Sequence, residues 1–393
     1  MNFFNTYNDD KTCIGKKCFI IAEIGQNHQG CLKTAKEMIK KAKESGADCV
    51  KFQKSNLEAK FTQKALRQPY ESANSFGKTY GEHKKYLEFT LDEYKELISC
   101  AKENEILFSA SAMDEESYKD LRKLELPFIK IGSGDNNNWI MLEKIAEDEK
   151  MPLILSLGMM KADEVMKIQE IFKNRTNIGI LHCVSSYPTK SEDVFLRFIE
   201  VFQNLFPKKV VGYSGHEKTP IVVSLGAAVM GAKIIERHFT LDKTLKGSDH
   251  SCSLDPKELS LLVKLIRKVE QKQLPESKDT ESILEFTKNV ILEAKEEHLL
   301  KDMEELRAAL SKNVTLEDKK VFDCEMNCYN KLRKTLVYSR DIPAGKILQK
   351  SDFCIKVNTE FGVLTEKIDE LIGKILVKNV SYEDSVQLSD FKS

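Results

Sequence analysis

No apolar run in this sequence reaches the roughly 18 residues that a membrane-spanning helix requires, which leaves no candidate segment for crossing a bilayer. The first residues, MNFFNTYNDD, carry neither the basic stretch nor the apolar core of a secretory signal, so a cytoplasmic protein is expected. Net charge is missing as well. Lys and Arg number 61 and Asp and Glu 61, so no broad positive field draws the chain to nucleic acid or to acidic membranes, and a small polar substrate is the better fit. The ten cysteines lack the density of a disulfide scaffold and are expected to be reduced thiols. The stretch CEMNC at 324–328 has no second cysteine pair to complete a zinc site.

What the sequence does hold is 41% hydrophobic and 31% charged residues over 393 positions, enough for one large core and a smaller domain. Short apolar runs alternate with amphipathic stretches. CFIIAEIG at 18–25 reads as a buried strand, and the LKTAKEMIKKAKESG that follows has helical spacing ended by a glycine. The pairing recurs at CVKFQK, ILFSASAM, PFIKIGSG, PLILSLGM, IGILHCVSSYP, VVGYSGH and AKIIERHF. Strands that are apolar on both faces and joined by helices form parallel sheets. Eight such units within roughly 270 residues predict an α/β fold, a closed (β/α)8 TIM barrel over residues 1–272.

In such a barrel the C-terminal strand ends meet at one mouth, where active sites are built. Polar side chains collect at those ends: Glu23 on the first strand, Lys51 and Gln53 on the second, Ser111 on the third, Lys130 and Ser133 on the fourth, Ser156 on the fifth, Tyr187 on the sixth and Ser214 on the seventh. Two lysines with several hydroxyls and the amides of GSGD suit a phosphate and a carboxylate, although salt-bridged lysines on a solvated rim would look the same in sequence. His216 and His238 end the seventh and eighth strands, one βα unit apart. Two neutral imidazoles placed so could hold a divalent metal with positions open to water or substrate; two histidines satisfied in a rim hydrogen-bond network would give the same pattern.

The motifs FIIAEIGQNHQG, GADCVKFQKS, KTYGEHKKYLEF, KIGSGDNNN, ILHCVSSYP, GYSGHE and ERHFTLDKTLKGSDHSCSLDP resemble the N-acetylneuraminate (sialic acid) synthase family in its animal-type form, over nearly the whole chain. The resemblance implies condensation of phosphoenolpyruvate with N-acetylmannosamine 6-phosphate, giving N-acetylneuraminate 9-phosphate and phosphate, with Mn2+ or Mg2+ and no organic cofactor. It implies His216 and His238 as metal ligands, and Lys51, Ser111, Lys130, Ser133, Ser156 and Ser214 as contacts to phosphoenolpyruvate. Glu23, Gln53, Tyr187 and Asp249 resemble the family's sugar contacts. Asp135 stands where bacterial members usually carry Glu. Glu23, Asp135, Lys51 and Lys130 are thus the candidate catalytic groups. A synthase acting on the unphosphorylated sugar or on a related nonulosonate precursor is the alternative within enzymes. The terminal domain alone would also fit a non-catalytic binding protein, against which the set of strand-end polar groups argues.

Three further segments carry expectations. Residues 273–328 read as an insertion and linker, charge-rich with apolar positions at helical spacing over about 274–320, forming a solvated helical arm or a partner-binding helix, since the family usually has a short linker here. Residues 329–393, with the turn IPAGKIL, resemble the small antifreeze-like (SAF, β-clip) domain that ends these synthases, which implies a domain-swapped homodimer. The stretch IKVNTEFG lacks the sugar-contacting Arg of bacterial members, with Lys356 the nearest cation. The connection after the second strand, from Lys54 to Phe89, is unusually long and rich in lysine, and it shares YGEHK with animal-type synthases. His83 and Lys84 within it are the candidate clamp for a phosphate on the sugar, a solvated basic lid being the alternative.

Overall fold

Eight parallel strands close into a barrel in a computed structural model that describes residues 17–392; the stretch MNFFNTYNDD lies outside the described residues. The strands are β1 (Phe19–Gly25), β2 (Cys49–Lys54), β3 (Leu107–Ala112), β4 (Ile129–Ile131), β5 (Leu153–Ser156), β6 (Ile178–Cys183), β7 (Val210–Gly215) and β8 (Ile234–His238), each paired with its sequence neighbours, and β8 with β1. Because side chains alternate along a strand, one parity faces the barrel interior and the other the surrounding helices. The interior has two tiers. At the N-terminal side Phe19, Ile21, Cys49, Phe128, Ile154, Leu181, Val210 and Ile234 form an apolar plug of their own. Two residues further on, the same parity delivers Glu23, Lys51, Lys130, Ser156 and Glu236, so a polar layer lies directly above a sealed floor.

The helix Pro220–Val229 is apolar on every face and buried along its whole length, so it needs a cover outside the usual helical ring. The helices Thr280–Glu293 and Met303–Leu310 provide it. Ile283, Leu284, Val290, Ile291, Leu306, Ala309 and Leu310 are buried in the main core. Gly226 marks the contact, since a Cβ there would lie 2.3 Å from Leu306 Cδ1. The solvated arm expected for this segment is therefore a packed layer: most of its charges line the outer face, while Lys319 and Glu325 are buried against the barrel.

The C-terminal unit carries β9 (Lys334–Tyr338) and β10 (Phe353–Val357), an antiparallel pair over a separate small core including Leu336, Ile355, Leu371 and Val386. It is laced to the barrel of its own chain. Lys356 donates to the Glu58 carbonyl at 2.6 Å and pairs with Glu383, and the Thr62 amide donates to the Val357 carbonyl. The long connection after β2 is ordered by three short helices, Leu57–Lys60, Gln63–Leu66 and Tyr80–Leu87, the last opened by a capping box between Thr79 and Glu82.

Candidate active site

A cavity of about 350 Å³ opens over the C-terminal strand ends. Its floor is a cluster of buried charges, which persists only because each is paired. Lys51 Nζ lies 2.5 Å from Glu23 Oε2 and 3.7 Å from Glu236 Oε2, and donates to Ser111 Oγ at 3.0 Å. Lys130 Nζ lies 3.0 Å from Glu236 Oε1, which also accepts from Ser214 Oγ at 3.1 Å. Gln53 donates to Glu23 Oε1 at 2.9 Å, fixing that carboxylate from the side. Burial opposes the charge on Glu236, but Lys130 and then Lys51 outweigh it and hold the carboxyl well below its ordinary range. Burial also presses down on the Lys51 ammonium; Glu23 and Glu236 more than compensate and raise its pKa, whereas Lys130 stays lowered by burial.

Hydroxyls rim this floor. Ser133 Oγ accepts from the Gly158 amide at 3.2 Å, and the buried Ser156 Oγ has no hydrogen-bond partner, as suits a group held for a ligand. Both line the cavity with Ser111 and Ser214.

Across the cavity the rings of His216 and His238 stand 5.4 Å apart, with Tyr187 4.2 Å from the first and 5.9 Å from the second. His216 Nδ1 meets the Val184 carbonyl at 2.9 Å. A carbonyl only accepts, so Nδ1 carries the proton and Nε2 keeps a free lone pair. Burial, with His238 adding to it, lowers the His216 pKa to about 3, so the ring is neutral. His238 Nδ1 is buried without a hydrogen-bond partner, and Asp249 Oδ2 is 4.0 Å away. A neutral His216 ring beside a His238 ring with an orphaned nitrogen suits a divalent cation. Among the described residues no group of three or more His, Cys, Asp or Glu forms a metal cluster, so substrate and water would complete the coordination of an ion held here.

A third wall holds Asp135. It is fully buried, ion-paired with Lys334 from β9 and 3.3 Å from Lys60, and its Oδ2 has no hydrogen-bond partner. Lys84 lines the same wall and donates to Gln26 Oε1 at 2.8 Å; burial, then Lys60 and Lys331, lower its pKa to about 8.

His83 departs from expectation. It turns away from the cavity into a nest of Tyr70, Phe76 and Tyr80 rings, and its Nδ1 accepts the Phe76 amide at 3.2 Å. Burial lowers its pKa to about 4, so it offers no positive charge near neutrality. Helix geometry allows the split: adjacent residues leave a helix about 100° apart, so Lys84 and His83 flank Tyr80 on opposite sides, one towards the cavity and the other into the aromatic nest.

Sequence reasoning also missed residues. Glu236 was legible by alternation, two positions before His238 on β8. Lys60 was one of several lysines in the basic long connection, without a mark to set it apart, and Lys331 and Lys334 were not legible, because they reach the wall from the segment leading into the C-terminal unit. In that segment Glu325 Oε1 accepts the amides of Met159 and Ser185, both at 2.9 Å, and Lys319 donates to the Met160 carbonyl. It thereby pins the loops after β5 and β6.

Residues 38–278 match the NeuB family, and residues 333–392 match the SAF domain. The chain is 45% identical over 370 residues to the N-acetylneuraminate-9-phosphate synthase of Drosophila melanogaster, covering 94% of each chain. It is also 45% identical over 370 residues to that of Homo sapiens, covering 94% of this chain and 91% of the relative. The spore coat polysaccharide biosynthesis protein SpsE of Bacillus subtilis superposes with a TM-score of 0.70, at 24% identity and 97% coverage of both chains, and so shares the fold.

Proposed function

The chain belongs to the NeuB family and is a sialic acid synthase, and from that premise we propose that it joins phosphoenolpyruvate to N-acetylmannosamine 6-phosphate at the mouth of its barrel. The observation that carries this reading is the cavity itself, where buried lysines and serine hydroxyls face a pair of imidazoles.

In this reading Lys51 and Lys130, with Ser111, Ser133, Ser156 and Ser214, receive the phosphate and carboxylate of phosphoenolpyruvate. His216 and His238 would hold Mn2+ or Mg2+, which when bound supplies Lewis-acid polarisation of the sugar's carbonyl oxygen. Tyr187, Asp249, Gln53 and Glu23 position the open-chain sugar so that C1 faces C3 of phosphoenolpyruvate, which makes the encounter effectively unimolecular. The C2–C3 π pair of phosphoenolpyruvate forms the new bond to C1 of the sugar, the C1–O π bond opens, its oxygen becomes a hydroxyl by taking the proton that the carboxylate removes from water, and C2 is left electron-poor. Asp135 or Glu23 orients a water whose oxygen adds at C2 and whose proton the carboxylate takes. The bond from C2 to the phosphate oxygen then breaks, phosphate leaves with the electron pair and a proton, and C2 becomes the keto carbon of N-acetylneuraminate 9-phosphate. The lysines remain charged throughout and offset the negative charge that collects on the departing phosphate.

Phosphate release is expected with phosphoenolpyruvate and the 6-phosphorylated sugar, and to stop with EDTA; full turnover in metal-depleted buffer would remove the metal from the reading. Lys51→Met and Lys130→Met are each expected to weaken phosphoenolpyruvate binding by about 2 kcal/mol, roughly thirtyfold, as a charge-assisted contact is lost from a dry site. Unchanged apparent affinity in both variants would place the anion elsewhere. A homodimer belongs to the same reading, with each C-terminal unit seated on the barrel of its own chain rather than exchanged, since Lys334 and Lys356 make their contacts to that barrel, and sedimentation at twice the 44.9 kDa chain mass is the expected result. The proposed setting is the cytoplasm; among the described residues no helix is long and apolar enough to cross a membrane.

A further inference from the structure

The charges around the cavity are unevenly distributed. On the floor Lys51 and Lys130 are matched by Glu23 and Glu236, so that end is balanced before any ligand arrives. On the opposite wall Lys60, Lys84 and Lys331 line the cavity with Asp135 and Asp249, Lys334 lies behind Asp135, and Glu88, which also acts on Lys84, is paired with Lys54. Asp135 is engaged by Lys60 and Lys334, and Asp249 lies towards His238. Among the described residues neither Lys84 nor Lys331 has a carboxylate in ion-pair contact. Lys84 has Gln26 Oε1, and Lys331 has the Tyr70 hydroxyl at 3.3 Å, with its ammonium 5.1 and 5.4 Å from the ring centroids of Tyr70 and Tyr80. Neutral partners and aromatic faces orient an ammonium without neutralising it. Lys60, Lys84 and Lys331 lie close enough that the other two both depress Lys84. Three cations gathered on one half-buried wall repel one another. Such an arrangement gains from a multiply charged anion bridging them.

We propose that Lys60, Lys84 and Lys331 form the cradle for the phosphate monoester of the sugar substrate, with Lys331 delivered by the segment that leads into the C-terminal domain. The inference rests on the reading above that the sugar is phosphorylated. It separates two anion sites within one cavity: the serine-lined, charge-balanced floor for phosphoenolpyruvate, and the cation-rich wall for the far end of the sugar. It also names Lys331 as a C-terminal cation that reaches this cavity, whereas Lys356 is consumed by Glu383, Tyr382 and the Glu58 carbonyl.

The test uses the full-length chain at saturating phosphoenolpyruvate and compares kcat/KM for N-acetylmannosamine 6-phosphate and for N-acetylmannosamine in the parent, Lys84→Met, Lys331→Met and the double variant. The ratio of the two values, measured on a single preparation, is independent of how much of it is folded. The parent is expected to favour the phosphorylated sugar by at least about tenfold. Each single variant is expected to lose most of that ratio and the double variant nearly all of it, with Lys331→Arg retaining it and the KM for phosphoenolpyruvate unmoved. A parent with no preference overturns the phosphorylated-sugar reading itself. A parent that discriminates and a double variant that discriminates equally well overturn the cradle alone, as does a rise in the KM for phosphoenolpyruvate with the ratio intact.

Discussion

Replacing His216 or His238 with alanine is expected to lower kcat for condensation by roughly a thousandfold or more, about 4 kcal/mol, while the chain stays folded. The size of the effect follows from the chemistry: C3 of phosphoenolpyruvate is a weak nucleophile, and with one imidazole gone no other cluster of three or more His, Cys, Asp or Glu among the described residues is placed to hold the ion. The small effect on stability follows from position. Both rings stand at the rim above the apolar plug. His216 would forfeit the hydrogen bond to the Val184 carbonyl, worth about 1 kcal/mol, and a long contact to Cys183 Sγ, and His238 Nδ1 has no hydrogen bond to lose. Steady-state kinetics in metal-replete and metal-depleted buffer, alongside thermal melts, separate the two effects. If either variant turned over near the parental rate, the imidazoles would be rim residues in a hydrogen-bond network and the metal assignment would fall.

Glu236→Gln tests the floor. This carboxylate is the ion-pair partner of Lys130 within 4.0 Å and the second partner of Lys51, so its loss leaves Lys130 buried and uncompensated while Lys51 keeps Glu23. Removing one member of a buried pair costs about 3 to 5 kcal/mol, and the lower end applies here because Lys130 is already lowered and can shed its proton. The variant is expected to unfold at lower denaturant with an unchanged slope. Phosphoenolpyruvate is expected to restore more stability to it than to the parent, because the ligand supplies the missing negative charge and binds only the folded state. Denaturant titrations with and without phosphoenolpyruvate measure both quantities. Equal ligand stabilisation of parent and variant would show that the ligand does not sit against Lys130.

The barrel was legible because its strands are apolar on both faces and polar only where they end, a pattern that few other arrangements produce. The same regularity brought Lys51, Ser111, Lys130, Ser156, Ser214, His216 and His238 to one mouth. What sequence could not supply was anything carried across from distant chain segments. Lys60 and Lys331 meet Lys84 only because the long connection and the C-terminal segment fold over the same wall. His83 could not be told from Lys84 by composition; which of two adjacent helical residues faces the cavity depends on the aromatic nest that receives the other. The apolar helix Pro220–Val229 did carry a signal. A helix with no polar face requires a second layer, and the segment after residue 272 was the material available to form it.

The lacing of Glu325, Lys331 and Lys334 into the loops of the barrel bears on how this chain can be recombined. A chimera that takes its barrel from one synthase and its C-terminal domain from another has an obvious joint in the stretch before β9. That joint cuts between Asp135 and the lysine that pairs with it, and between the Met159 and Ser185 amides and the carboxylate that holds them. Residues 319–334 therefore travel with the barrel in any such exchange, and the permissible crossover lies beyond Lys334, inside what domain boundaries alone would assign to the other module.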